Sequence, residues 1–175
     1  MMAPLKSVLD FLTNTKRPSP TAAVSSPVEL KKKILSLNRS TAPFQIIDGS
    51  SEGVDLIAEW KIVDAKWYQI FAKAGLHDVF KIYMKFDSAK KEVRAKDKRF
   101  TVEWEAGVPR ISLTASGFSG QMYSKEFGKA YAFTEELKYG EVYTYKFNTT
   151  EIKAPIQKAV TESGWTYKGT VFGGL

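Results

Sequence analysis

Side chains suited to catalysis are scarce in this sequence. Its one histidine, His77, stands in the turn "GLHD", and no G-x-S-x-G segment supplies a serine nucleophile for it to activate. Cysteine is absent, which excludes a thiolate nucleophile and a cysteine-ligated metal. Calcium loops of the D-x-[DN]-x-[DN]-G type are also missing. We therefore expect no metal, no cofactor, and a His77 that bonds to backbone or water.

Acidic residues offer one further route to chemistry. Glu103 and Glu105 alternate along a predicted strand and so point to the same side, and Glu59 could lie on a neighbouring strand. Two carboxylates about 5 to 9 Å apart can hydrolyse a glycosidic bond. Acidic residues on the wet face of a strand are more commonly solvated or paired with lysine. Since no phosphate-binding glycine loop is present either, we predict that the protein is not an enzyme.

A basic stretch, "KFDSAKKEVRAKDKRF", covers residues 85–100. It contains seven basic and three acidic side chains, a net charge of +4. Such a stretch can follow a phosphate backbone, but lysines on exposed strands also prevent edge-to-edge pairing, and the acidic residues would repel an anion. The candidate anion-binding residues are Lys90, Lys91, Arg94, Lys96, Lys98 and Arg99.

Charge is concentrated at the N-terminal end of the chain. Of the total of +7, residues 1–40 contribute +5 and the rest of the chain +2. The segment "PLKSVLDFL" has the apolar spacing of a short helix, and "TNTKRPSPTAAVSS" has the composition of a linker. We predict that residues 1–25 form a mobile basic arm, or one that docks on a partner.

The remaining residues, 26–175, are predicted to form a single domain. Ser26, Pro27 and Glu29 have the types and spacing of a capping box at a helix start. A chain of 175 residues with 43% hydrophobic residues can bury a core without disulfides. No apolar run approaches the roughly 20 residues of a membrane helix, and no signal peptide is evident, so we expect a cytoplasmic protein.

Aromatic residues are dense in "EWKIVDAKWYQIFAKAG", residues 59–75. Trp60 lies on the apolar side of a predicted strand and Trp67 on the apolar stripe of a predicted helix, which favours a core position for both. Tyr68, with its polar tip, suits a rim. A later strand, "EVYTYKF", alternates three more aromatic residues. The candidate residues for an apolar ligand are Tyr68, Tyr143, Tyr145 and Phe147.

Alternating apolar and polar residues run from Phe80 to Ala115 in four stretches separated by "DSAKK", "KDKR" and "EAGVP". This pattern is typical of an antiparallel meander with one wet face. A helix with Pro155 near its first turn follows, and Gly164 ends it before a last strand, "WTYKGTVF". The predicted fold is α+β, an antiparallel sheet of about seven to eight strands with two or three helices, with a faint internal repeat that permits a duplicated unit.

The element order over residues 54–163 resembles the helix-grip family, which holds apolar ligands between a curved sheet and a C-terminal helix. The phrases "AEWKIVDAKWY", "KEVRAKD" and "ESGWTY" also resemble uncharacterised bacterial proteins with no known activity. From the residues and these resemblances we expect a non-enzymatic binding module. It would use a sheet–helix cavity or an exposed sheet face for an apolar small molecule or a protein partner. The alternative is a basic patch for nucleic acid or an anionic membrane surface.

Overall fold

The structure, a computed structural model, describes residues 5–40, 42–61, 78–105, 108–112, 119–120, 131–134, 142–145, 149–171 and 174–175. Three α-helices lie within these ranges: α1 (Leu5–Leu12), α2 (Pro27–Leu35) and α3 (Thr149–Glu162). The strands are β1 (Phe44–Asp48), β2 (Leu56–Trp60), β3 (Asp78–Asp87), β4 (Glu92–Glu105), β5 (Val108–Ser112), β6 (Ser119–Gly120), β7 (Tyr131–Thr134), β8 (Val142–Tyr145) and β9 (Thr166–Gly169). The protein is therefore α+β, as predicted.

Seven of the described strands form one sheet. Strands β1 to β5 pair in sequence order and are antiparallel, while β7 and β8 form a separate two-stranded sheet. The far edge of β4 is shared by three short strands: β9 along Glu92–Ala95, β6 along Asp97 and Lys98, and β5 along Thr101–Glu105. Strand β9 runs parallel to β4. The prediction of a purely antiparallel sheet was therefore wrong, because α3 provides the crossover that a parallel strand requires.

Strand β4 is longer than the sequence pattern indicated. We predicted a turn at "KDKR", but β4 pairs with β3 without interruption from Asp87 opposite Glu92 to Asp78 opposite Thr101. Its buried positions change face midway: Val93 and Ala95 are buried on one face, Phe100 and Val102 on the other. Two consecutive exposed residues, Lys98 and Arg99, lie between the two buried pairs. In the sequence, such a pair of polar residues resembles a turn.

The core lies on the sheet face that carries Val93 and Ala95. Helix α3 packs there with the stripe that the sequence indicated: Ile152, Ile156, Ala159 and Val160 are buried, and so is Ser163 just after the helix. Trp60 is 5% exposed and meets Phe44 and Phe80 edge-to-face, with ring centroids 6.3 and 6.1 Å apart. Trp60 is thus a core residue, as predicted; Trp67 lies outside the described residues.

Helix α2 begins as the sequence predicted. The Ser26 hydroxyl accepts a hydrogen bond from the Glu29 amide at 3.2 Å, and the Glu29 carboxylate accepts one from the Ser26 amide at 2.8 Å. Helix α3 departs from the prediction, because it begins at Thr149 and Pro155 falls in its second turn. The proline ring removes one helical hydrogen bond there, yet the helix continues to Glu162.

The N-terminal segment contacts both β9 and the end of α3. Lys16 and Tyr167 exchange two backbone hydrogen bonds, each 2.8 Å long. The Ser25 amide donates to the Ser163 carbonyl at 3.0 Å, and the Trp165 indole donates to the Ser25 carbonyl at 2.9 Å. These bonds attach residues 16–25 to the domain, while a division of the chain at residue 25 stays a prediction. Among the described helices none is both long enough and apolar enough to cross a bilayer.

Candidate anion-binding strip

Basic side chains from three adjacent strands lie on one face of the sheet. Lys85 of β3 is directly opposite Arg94 of β4, and Arg94 is opposite Lys168 of β9. Lys96 and Lys98 follow Arg94 at alternate positions of β4. Residues opposite one another share a face and alternate residues of a strand return to it. We call these five residues, Lys85, Arg94, Lys96, Lys98 and Lys168, the basic strip.

Contacts within the basic strip hold several of its side chains in place. The Lys98 ammonium lies 4.2 Å from the centroid of the Tyr83 ring, a cation–π contact. An Arg94 guanidinium nitrogen donates to the Gly174 carbonyl at 3.2 Å. Lys168 lies 3.4 Å from the Glu92 carboxylate. Lys85, Lys98 and Lys168 are exposed, while Arg94 and Lys96 are half-buried. The strip therefore presents charge to solvent while its aliphatic stems rest on the sheet.

Acidic residues interrupt this strip less than the sequence indicated. Asp97 lies on the opposite face of β4, where it is fully buried beside Lys153. Glu59 is paired with Lys81 at 2.7 Å; since Lys81 lies directly opposite Lys98, this ion pair is on the same face, beside the strip. Asp87 lies 3.8 Å from Lys90 in the hairpin turn. Glu92 contacts Lys168 of the strip at 3.4 Å. Because the strip contains five basic residues, it keeps a net positive charge beside this carboxylate.

Tyr83 is a buried, uncharged residue beneath the basic strip. It lies directly opposite Lys96 and is 3% exposed. Burial raises the pKa of Tyr83 well above its usual range, and a hydrogen bond to Glu52 raises it further. The phenol therefore keeps its proton, and it adds no negative charge beneath Lys98.

The other three predicted anion-binding residues lie elsewhere. Lys90 and Lys91 are in the β3–β4 turn, where Lys91 has a φ of 52° and its ammonium lies 5.3 Å from the centroid of the Trp165 ring. Arg99 occupies an odd-numbered position of β4 and so belongs to the face opposite Lys98. The structure thus groups Arg94, Lys96 and Lys98 and separates them from Lys90, Lys91 and Arg99.

Sequence reasoning missed Lys168 as a member of the strip. It is separated from Arg94 by most of the second half of the chain, and only the parallel pairing of β9 with β4 brings the two together. Lys85 was in the basic stretch, but its place opposite Arg94 depends on the hairpin register. An open groove of about 250 Å³ lies at this end of the strip, lined by Lys85, Phe86, Asp87, Ser88, Arg94 and Leu175.

The predicted apolar-ligand residues are only partly described. Tyr68 and Phe147 lie outside the described residues, as does His77. Tyr143 and Tyr145 are in β8, where their backbone positions are opposite Phe133 and Tyr131 of β7. The four aromatic residues therefore occupy matched positions of a two-stranded ribbon, and their role in binding an apolar ligand stays a prediction.

The carboxylates considered for catalysis do not form a pair with Glu59. Strand β3 separates β2, which carries Glu59, from β4, which carries Glu103 and Glu105. Glu103 is opposite Arg110 of β5 in the sheet register. In the part of the chain that the structure describes, no cluster of three or more histidine, aspartate or glutamate side chains could hold a metal ion.

Comparison of the chain with protein-family models, with curated proteins and with solved structures finds no significant match. The likeness to helix-grip domains and to uncharacterised bacterial proteins therefore stays a prediction.

Proposed function

We propose that the protein is a non-enzymatic binding module that holds the phosphate backbone of a nucleic acid on its basic strip. The observation that carries this proposal is the shared face of Lys85, Arg94, Lys96, Lys98 and Lys168, from which Asp97 is removed. Phosphate contacts supply most of the affinity of sequence-independent nucleic-acid binding. The cations supply the attraction, and the sheet fixes their spacing.

The spacing of the strip suits a linear polymer of phosphates. Arg94, Lys96 and Lys98 occupy alternate positions of one strand, which places their Cα atoms about 6.8 Å apart. A nucleic-acid strand presents its phosphates as a regular linear series, so successive cations along β4 can each contact a phosphate. Lys85 and Lys168 lie one strand to either side of Arg94, about 4.8 Å away. Three cations in a row along β4, with one cation on each neighbouring strand, favour a linear polymer over a membrane plane.

Base recognition is not part of this proposal. The aromatic rings that contact the basic strip and its turn, Tyr83 and Trp165, are 3% and 0% exposed. Stacking of bases on a protein requires an accessible aromatic face. We therefore expect the strip to bind without preference for base sequence. The lack of cysteine suits a reducing cytoplasm, the location that we propose.

The test compares binding of a fluorescent DNA duplex at several salt concentrations. Five phosphate contacts give a slope of about −4 to −5 in a plot of log K against log salt. The variant Arg94→Gln/Lys96→Gln/Lys98→Gln should reduce the size of that slope by about three. The matched control, Lys31→Gln/Lys32→Gln/Lys33→Gln on α2, removes the same charge elsewhere and should keep it. Equal losses in both variants would contradict the assignment, and so would binding only to anionic vesicles.

A second candidate, the protein partner expected from the sequence, is supported by α1. This helix exposes four large apolar side chains: Val8 at 45%, Leu9 at 59%, Phe11 at 78% and Leu12 at 58%. An exposed apolar stripe of this kind commonly marks an interaction surface. A photo-cross-linking residue at position 11 should yield one adduct of defined mass in cells, and the same residue at Val24, which is 57% exposed, should not. Identical adduct patterns at both positions would count against this candidate.

A further inference from the structure

A lysine and an aspartate touch inside the core. The Lys153 ammonium nitrogen of α3 lies 2.5 Å from a carboxylate oxygen of Asp97 in β4. Their side chains are 3% and 0% exposed. Charge-assisted hydrogen bonds between such groups are usually about 2.7 to 2.9 Å long, so the contact is close even for an ion pair.

Buried side chains of three described elements lie around the pair. Ile82, directly opposite Asp97 on β3, is 0% exposed, as are Ile156, one turn beyond Lys153, and Tyr167 of β9. Two charges buried this deeply lose more hydration energy than their attraction returns. Burial lowers the pKa of the Lys153 amine, against the charge of Asp97, which raises it. Burial favours the neutral form of the Lys153 amine, which becomes available when the ammonium proton passes to the carboxylate that it touches.

From this juxtaposition we propose that Lys153 and Asp97 condense to form an internal amide bond that cross-links α3 to β4. The neutral Lys153 nitrogen attacks the Asp97 carboxyl carbon, and a nitrogen–carbon bond forms. One carboxyl carbon–oxygen bond then breaks. The departing oxygen takes up a proton as the amine nitrogen loses one, and a single water molecule leaves. No oxidant, reductant or further reactant is needed.

The contact between the two reacting groups and the exclusion of bulk water both favour amide formation. Reacting groups held in contact inside a protein gain an effective concentration of about 10⁵ M or more over the same groups in solution. A desolvated lysine is a better nucleophile than a hydrated one, because its neutral form is more populated. Exclusion of bulk water also protects the amide from hydrolysis. The fold therefore supplies three conditions that a condensation in water lacks: a high effective concentration, a neutral amine and the exclusion of bulk water.

Tyr167 brings a buried hydroxyl to the same face of the sheet as Asp97, since it lies directly opposite Val93 of β4. Its side chain is 0% exposed, and its hydroxyl has no hydrogen-bond partner among the residues that the structure describes. Burial raises the pKa of Tyr167, so the hydroxyl keeps its proton. A protonated hydroxyl can stabilise the oxyanion that forms when the amine attacks.

The first test is the mass of the intact, full-length protein under denaturing conditions. A cross-linked chain is lighter than its sequence by the mass of one water, and a protease digest contains one branched peptide that joins Asp97 to Lys153. The pair Lys81–Glu59 is an internal control, because its atoms are 2.7 Å apart but its side chains are 25% and 15% exposed. We expect no branched peptide from it. A chain of full mass overturns the proposal, as does a water loss that maps to any other residue.

Two variants separate the amide from an ordinary ion pair. Lys153→Arg keeps a cation beside Asp97 but has no primary amine, and it should show the full mass of its sequence. Asp97→Asn can form the same amide only by releasing ammonia, so any mass loss must equal ammonia and not water. Tyr167→Phe should lower the cross-linked fraction while leaving the position of the link unchanged. A water loss that persists in Lys153→Arg is incompatible with the proposed bond, whether or not that variant is stable.

Discussion

Asp97 and Lys98 are neighbours in the chain and lie on opposite faces of the sheet. Asp97 is fully buried on the face covered by α3, whereas Lys98 is exposed on the other face above the Tyr83 ring. The sequence places an acid among the basic residues of this strand, but the fold removes it to the core. The same alternation therefore creates the basic strip and the buried lysine–aspartate contact.

Lys168 should contribute to polyanion binding although it lies far from the basic stretch in sequence. Its place opposite Arg94 makes it one edge of the strip. Lys168→Gln should reduce the size of the salt slope for a DNA duplex by about one. Lys158→Gln, which removes a charge from the 76% exposed Lys158 on α3, is the control and should leave the slope unchanged. An unchanged slope for Lys168→Gln would restrict the binding surface to the β3–β4 hairpin.

Acid should weaken the protein partly through Asp48. A hydrogen bond from the Ser50 hydroxyl, followed by one from Lys31, holds the pKa of Asp48 well below its usual value near 3.8. A carboxylate whose folded pKa is depressed contributes stability above its unfolded pKa and loses that contribution as pH falls toward the folded value. In urea unfolding between about pH 5 and pH 2, Asp48→Asn should show a shallower loss of stability than the wild type.

The relative sizes of the Ser50 and Lys31 effects on the pKa of Asp48 can also be tested. Ser50→Ala removes the larger effect, so it should reduce the acid-induced loss of unfolding free energy more than Lys31→Gln does. The charge interaction with Lys31 is exposed and should weaken in salt, while the Ser50 hydrogen bond should not. If Lys31→Gln has the greater effect, the serine does not hold the carboxylate as described.

The helix cap at Ser26 should have a measurable effect on stability. Ser26→Ala removes the acceptor for the Glu29 amide and breaks the reciprocal capping box. We expect a loss of about 1 kcal/mol in the free energy of unfolding, the usual cost of losing an N-cap. Ser88→Ala, in the exposed β3–β4 turn, serves as a control and should change stability by less than about 0.5 kcal/mol. Equal effects would mean that α2 does not depend on this cap.

Local signals in the sequence predicted local structure well. The apolar stripe of α3, the cap of α2 and the core position of Trp60 follow from residue type and spacing, and the structure has all three. What failed depends on partners far away in the chain. Alternation assigns a residue to a face but does not say which strand lies beside it, so the parallel pairing of β9 and the role of Lys168 were missed. A lysine within "TTEIKAPIQ" is typical of a solvent-facing helix position. Lys153 is nevertheless buried, where it forms an ion pair with Asp97.

Gly164 and Gly53 offer a matched pair for testing how the N-terminal segment is attached. Both have a left-handed backbone, with φ of 73° and 76°. A methyl group at Gly164 would lie 2.7 Å from the Ala23 carbonyl oxygen, while one at Gly53 would have nothing within 4 Å. Gly53→Ala should therefore show only the cost of backbone strain, about 1 kcal/mol. Gly164→Ala should cost more, since Ala23 and Val24 must also move.

Deletion of residues 1–25 separates the two contributions at Gly164. Without Ala23 and Val24 the close contact is lost, and the cost of Gly164→Ala should fall to that of Gly53→Ala. Unfolding in urea, measured by tryptophan fluorescence, suits this comparison because Trp165 follows Gly164 and donates to the Ser25 carbonyl. If the two alanine variants cost the same in the full-length chain, residues 23 and 24 do not rest on Gly164 in solution, and the predicted mobile arm would be favoured. A larger cost that deletion abolishes would show that this segment belongs to the folded domain.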